Sequence, residues 1–278
     1  MTKTATKIKT AIIYLCLILL ALACLLPFWL MMVNATRSGV EITTSFSFVP
    51  SSHLAENWTA LFEYVNLFRG LLNSLIIAIP ATALTAYFSA ITGYSMAVYK
   101  FKGNKLLFGI IVVFMMIPSQ LSLIGFYNLC QKLRLIDSYI PLILPAIAAP
   151  GTVFFLRQYV QSTLSKSLLE AARIDGASEI HIFHKIVLPI MSPGIATMAI
   201  GSFIGNWNGY LVPLILLNTP DKMTLPVMLT TLNAATNLQK NQGAIYLGVA
   251  ISVIPIMIAF CFFSRYIIGS ISAGSVKE

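Results

Sequence analysis

The chain has 278 residues, of which 58% are apolar and only 10% charged, with a mean hydropathy of +0.84 and a net charge of +9. A water-soluble domain carries about 25% charged residues, so this composition excludes one. The surplus of Lys and Arg is no nucleic-acid footprint either, because no basic face with interleaved aromatics occurs.

A transmembrane helix needs about 20 mainly apolar residues. Six such stretches follow one another at about 10–33, 71–98, 106–129, 140–156, 190–217 and 243–263. Each is apolar on all faces, as suits a helix surrounded by lipid or protein. The alternating decamers of an outer-membrane barrel are absent from the sequence. The fold class read from the chain is therefore an all-α polytopic membrane protein.

Lys3, Lys7 and Lys9 precede the first stretch, and Ala21-Leu22-Ala23-Cys24 lies inside it, as in a signal peptide. The apolar run continues through Pro27, Phe28, Trp29 and Met32, which is longer than a signal core and favours an uncleaved span. With the N-terminus inside, twelve of the 18 Lys and Arg residues fall on the cytoplasmic side and six outside. That bias predicts cytoplasmic N- and C-termini, and the net charge adds attraction to acidic lipid headgroups.

After the first span, Pro50, Ser51 and Ser52 break the chain, and Leu54, Trp58, Leu61, Phe62 and Val65 follow at helical spacing. This predicts a short amphipathic helix at the outer surface, packed on its own bundle and open to a partner. The next inner connection, YKFKGNK, is a short basic turn with Gly103 and Asn104 at its tip. Pro80, Pro118, Pro145, Pro150, Pro213 and Pro255 place bends in the spans from the second onward.

No span carries Asp, Glu, Lys or Arg in its apolar interior, so no intramembrane proton site is evident. No G-x-x-x-x-G-K-[ST] loop occurs, so the chain does not bind ATP in that way. Energy for uphill transport would have to arrive from a separate subunit. Cys16, Cys24, Cys130 and Cys261 are scattered, and His181 and His184 have no further ligand beside them. Neither a metal site nor a catalytic constellation is predicted.

Between the fourth and fifth spans lies a polar island, SLLEAARIDGASEIHIFHKIVLPIMSP, starting at Ser167. Ser167 and Glu170 have capping-box spacing, which predicts a helix start. Asp175-Gly176 closes that helix, because Gly takes the left-handed conformation easily. A second helix is expected from about 177 to 187, with Pro189 and Pro193 opening the fifth span. A bent helix–turn–helix of this kind transmits force, whereas a solvated connecting loop does not, and the residues alone leave both open.

The island resembles the EAA motif of ABC-importer membrane subunits: Glu170, Ala171 and Ala172, then Gly176, then Leu188-Pro189. The extension EAARIDGA, with Phe183, Ile186 and Pro193, is similar to the carbohydrate-uptake branch of maltose-transporter-like permeases. The likeness spans nearly the whole chain through FVPSSHLAENWTALF, NSLIIAIPAT, LPAIAAPGTVFFLRQY, NWNGYLVPLILL and the tail GSISAGSVK. Leu164-Ser165, Ser264 and Gly209 depart from the family's usual residues.

The resemblance implies a type I ABC importer transmembrane domain in a bacterial or archaeal plasma membrane. It implies a permease subunit that is no enzyme and binds no cofactor. A second homologous permease subunit, two ATPase subunits holding ATP and Mg, and an extracytoplasmic solute-binding protein would complete the machine. Glu170, Ala171, Ala172, Asp175 and Gly176, with Phe183, Leu188 and Pro189, would form the ATPase-docking element. Asn206, Trp207, Asn208 and Tyr210 offer the amides and aromatic faces a sugar path needs, or else form an aromatic belt at the membrane interface. The expected organisation is a first span with outer loop (1–70), a core (71–268) with its coupling loop at 161–190, and a tail (269–278). A permease for a non-sugar solute and a gradient-driven carrier are the alternatives.

Overall fold

The structure, a computed structural model, describes residues 3–235 and 238–274, and among them no strand occurs. In chain order the helices are α1 (Lys3–Asn34), α2 (Gly39–Thr44), α3 (Leu54–Tyr64), α4 (Leu67–Val98), α5 (Asn104–Met115), α6 (Leu123–Lys132) and α7 (Ile140–Ile143). They continue as α8 (Pro150–Thr163), α9 (Lys166–Ile174), α10 (Glu179–Ile182), α11 (Leu188–Trp207), α12 (Leu211–Leu216), α13 (Leu225–Ala235) and α14 (Leu238–Gly274). Among the described residues, five helical stretches are long and apolar enough to cross a membrane: Lys9–Ala35, Leu67–Val98, Ile140–Thr163, Glu179–Trp207 and Gln242–Ser264. The all-α membrane architecture is the expected one.

The third predicted span differs from a simple helix. It is a broken pair, Asn104–Met115 and Gln120–Lys132, bent by 87°. Pro118 lies in the break, and a proline cannot donate the backbone hydrogen bond that would carry the helix through. The fifth span also differs. It begins at Glu179 rather than at Pro189, and it ends at Trp207. Leu211–Leu216 forms a separate short helix beyond Asn208 and Gly209. The predicted tail is helical as far as Gly274, and 275–278 lie outside the described residues.

The chain divides into two compact units, residues 1–68 with 228–254 and residues 69–227 with 255–278. In the first, the loop after α1 is organised by a buried Arg37. Its guanidinium donates to the carbonyls of Glu41 (2.8 Å) and Ser45 (2.9 Å) and to Ser45 Oγ (2.7 Å). Asn57, also buried, donates to the carbonyls of Ala35 and Arg37, both at 2.9 Å. Ser38 and Glu41 form a capping box at the start of α2, each satisfying the other's backbone N–H. Leu61 of α3 is fully buried while Leu54 and Trp58 of the same helix are exposed, so the predicted amphipathic helix packs on its own unit and keeps an outward apolar edge. Gly243 lets α14 approach this knot, since a Cβ there would stand 2.2 Å from the Arg37 carbonyl oxygen.

In the second unit, a loop after α6 is clamped to the loop before α13 by Asp137. Its carboxylate accepts from the N–H groups of Asn218 and Thr219 (both 3.0 Å), from Thr219 Oγ1 (2.6 Å) and from Lys222 Nζ (2.8 Å). Asn73 Nδ2 reaches the same loop through the carbonyls of Asp221 (2.8 Å) and Met223 (2.9 Å). The Lys222 bond first, then those from Thr219, hold the Asp137 carboxyl well below the usual carboxylate range. A depressed folded-state value means the clamp is complete above the ordinary carboxylate pKa of about 4 and fails only in strong acid. Asp137→Asn is therefore expected to lower the melting temperature by a constant amount across neutral pH. The gap should close as the wild type is acidified. A gap that changes between mildly acidic and mildly basic buffer would contradict the clamp.

Candidate functional site

The island is built on a core shared by several helices. Ala90 and Tyr94 of α4, Leu156 and Val160 of α8, Leu169 and Ala172 of α9, and Ile182, Phe183, Val187 and Met191 pack into one buried cluster. Each fully buried Leu, Ile, Val or Phe side chain stabilises by about 1.5–3 kcal/mol. The island is thus anchored by a core of its own and is no floating loop.

The helix start lies two residues earlier than predicted. Ser165, extended at ψ 133°, is the N-cap of α9, and Ser167 bonds to the Ser165 hydroxyl (2.6 Å) instead of capping at Glu170. The stop is the predicted one. Gly176 has φ +82°, the Gly176 N–H donates to the Arg173 carbonyl (3.1 Å), and the Ala177 N–H donates to the Ala172 carbonyl (3.0 Å). These two bonds make a Schellman motif. Ala177 packs against the cluster that holds Ala172, which supplies the motif's usual apolar contact.

After the turn, Ser178 Oγ caps α10 by accepting from the His181 N–H (3.3 Å). A π turn over Phe183–Val187 then carries the helix into α11, with the Leu188 N–H reaching back to the Phe183 carbonyl. Pro189 follows and has no N–H to offer, and the wide turn lets the helix pass it unbroken. This is why the second island helix and the fifth span are one continuous rod.

The expected docking residues divide by direction. Glu170, Ala171, Asp175, Gly176 and Pro189 are exposed, Leu188 is half-buried, and Ala172 and Phe183 are buried in the core. Beside the outward set stand Ile174 and Ile180, 86% and 75% exposed. Large apolar residues this exposed on a polar island are what a partner surface requires. A cavity of about 590 Å³ opens alongside, lined by Ala172, Asp175, Gly176, Ala177, Ser178, His181 and Ile186. Glu170 lines a second cavity of about 560 Å³ with Lys100, Lys166 and Arg173.

One feature had no signal in the sequence. Arg173 donates through Nε to Glu179 Oε1 (2.7 Å) and through a terminal nitrogen to Oε2 (3.3 Å). The Tyr99 hydroxyl donates to the same carboxylate and lies 3.4 Å from the Tyr94 hydroxyl. This network bridges the Gly176 turn and ties it to the end of α4. Arg173 and Glu179 flank the turn in the sequence, but nothing local points to Tyr99.

The candidate path residues sit together at the end of α11 and present different faces. Asn206 turns back on its own helix, donating to the Ser202 carbonyl (2.8 Å). Trp207 is 1% exposed and stacks on Phe203 at 5.9 Å. Asn208, the helix C-cap, and Tyr210 remain exposed. A cavity of about 930 Å³ between α4, α11 and the later part of α14 is lined mostly by apolar side chains, Phe203 and Phe262 among them. His184 is held by Tyr87 (3.2 Å) and the Ile180 carbonyl (2.9 Å), and no group of metal-ligating residues forms among the described residues.

Residues 89–272 match the family described as binding-protein-dependent transport system inner membrane component. The chain belongs to this family. It is 39% identical to the arabinooligosaccharides transport system permease protein AraQ of Halalkalibacterium halodurans, covering 87% of this chain and 84% of that one. With the protein of the same name in Bacillus subtilis the identity is 34%, over 93% and 92%. A solved bacterial ABC transporter involved in the import of the acidic polysaccharide alginate superposes with a TM-score of 0.79 at 21% identity, over 96% of this chain and 99% of that chain. The permease therefore has the fold of an ABC importer's membrane subunit. It is an inner-membrane transport component and not itself an enzyme.

Proposed function

We propose that this permease is one of two homologous membrane subunits of a carbohydrate importer, with the island and both termini on the cytoplasmic side. Two ATPase subunits, which hold ATP and Mg, dock on the island, and an extracytoplasmic binding protein delivers the sugar on the other face. One observation carries this reading: an exposed Glu170–Gly176 surface is fixed by a Schellman turn and a buried core to the rod that runs on through α11. A push on Glu170, Ala171, Asp175 and Gly176 moves the fifth span as a unit. Buried Ala172 and Phe183, with Leu188 and Pro189, form the stiff root of that lever. The distribution of Lys and Arg supports the orientation.

The names of the relatives support an oligosaccharide as the solute. Within the group at the end of α11, Asn208 and Tyr210 are the side chains free to meet a sugar, Asn206 is turned inward, and Trp207 orders the site from beneath. Uptake of labelled arabino-oligosaccharide is expected in cells that also carry the binding protein and ATPase. Asn208→Ala should reduce that uptake about tenfold, the effect of losing roughly 1.4 kcal/mol of hydrogen bonding, with complex recovery unchanged. Trp207→Ala should instead cost about 3–5 kcal/mol of stability by opening a cavity, and so lower recovery. Wild-type uptake in Asn208→Ala and Tyr210→Ala together would remove this group from the path. Uptake of a non-sugar solute alone would overturn the carbohydrate assignment.

A further inference from the structure

Arg157 is the unusual cation of this molecule. It sits on α8, half-buried, with its guanidinium carbon 3.9 Å from the centre of the Phe108 ring on α5. Phe108 in turn stacks on Phe154 at 5.8 Å. Arg157 Nε is buried and has no hydrogen-bond partner, and among the described residues no acceptor meets the rest of the guanidinium. A guanidinium presents a fork of donors, and a buried one left unmet, as Nε is, costs stability. The aromatic platform satisfies its charge in part and none of its N–H groups.

The surroundings indicate what does. Phe108 lies three residues after Lys105, roughly 4.5 Å along the helix, and Lys102 stands just before on the same basic turn. Neither lysine takes part in an ion pair among the described residues. Lys100, by contrast, lines the cavity that Glu170 shares. Beyond this basic edge α5 buries none of its residues, and Leu106, Leu107, Ile110, Val113 and Phe114 are exposed. An apolar helix face running down from a cluster of unpaired cations has the two-part chemistry of a phospholipid: acyl chains along the helix, an anion at its end.

We propose that Arg157, over Phe108 and with Lys102 and Lys105, binds the phosphate of an anionic phospholipid at the edge of the bilayer. The guanidinium donates to phosphate oxygens, the lysines add charge, and the α5 face takes the acyl chains. The site holds in either orientation of the chain, so its failure would leave the transport reading untouched.

The test uses the full-length chain in lipid nanodiscs of phosphatidylcholine and phosphatidylglycerol, with retained lipids weighed by native mass spectrometry. Phosphatidylglycerol should be retained at about five times its share, the factor equal to ~1 kcal/mol for a basic residue near the surface. Arg157→Gln should lose that enrichment, and Arg157→Lys should keep most of it. Should Arg157→Gln fail to fold, the exposed pair Lys102→Gln with Lys105→Gln is the substitute and should reduce the enrichment by a similar factor. Proportional retention by the wild type, or undiminished enrichment in the variants, overturns the proposal. Millimolar inorganic phosphate competing off the phosphatidylglycerol at equal strength would assign a soluble-anion site and also overturn it. So would loss of partner-subunit recovery in Arg157→Gln with lipid retention intact, because the guanidinium would then serve a protein contact.

Discussion

Glu170→Lys is expected to abolish transport while leaving the chain folded and inserted. The side chain is exposed and meets no hydrogen-bond partner among the described residues, so its replacement removes nothing that holds the fold. Substitutions of that kind change stability by at most about 0.5 kcal/mol. The helix start is safe as well. Because α9 begins at Lys166, Glu170 lies beyond the first turn, where the helix dipole acts. The effect therefore falls on the partner contact. Disrupting a charged group that is hydrogen-bonded and desolvated in an interface costs about 2–5 kcal/mol, at least roughly thirtyfold in affinity. ATPase subunits should co-purify poorly with Glu170→Lys, and uptake should drop with them. Glu170→Gln, which keeps the shape, should fall between. Normal ATPase recovery together with normal uptake in the charge reversal would remove Glu170 from the contact.

The parts of this molecule that were legible in the sequence are those fixed by local chemistry. Long apolar runs in a chain without charge inside them leave little choice but membrane helices. Gly176 after a short polar helix announced a left-handed stop, and its φ of +82° is the conformation only glycine takes easily. Local patterns misled where two readings share one pattern. Ser167 and Glu170 have the same spacing as Ser38 and Glu41, yet only the latter pair forms a capping box. The difference is that the backbone becomes extended at Ser165, one step before Lys166, which leaves Ser167 inside the helix.

Prolines were ambiguous in a similar way. Pro118 breaks its span by 87°, whereas Pro189 is absorbed by a π turn and breaks nothing. Which outcome a proline gives depends on the packing around it. Phe183 and Val187 of the π turn are buried in the core under the island, while Pro118 is exposed. From the sequence, Trp207 offered an aromatic face either to a sugar path or to an interfacial belt. Phe203 stands four residues before it, so their stacking is legible in the spacing, but the burial of that face against other elements is not. The same holds for Tyr99 on Glu179 and for Arg157 over Phe108, which join residues many positions apart.

The second large effect concerns the source of energy. The six apolar stretches read from the sequence carry no Asp, Glu, Lys or Arg in their interiors, and the sequence has no phosphate-binding loop of the common type. What the fold offers instead is a rigid surface joined to a span. Transport should accordingly be all-or-none with respect to ATP supplied on the island's side of the membrane. The most direct measurement is uptake by vesicles holding the purified permease pair and its ATPase subunits. Uptake is expected to require ATP inside and sugar-loaded binding protein outside, and to persist when ionophores collapse the proton and sodium gradients. Gradient-driven uptake by this chain alone, with no ATPase present, would contradict the account.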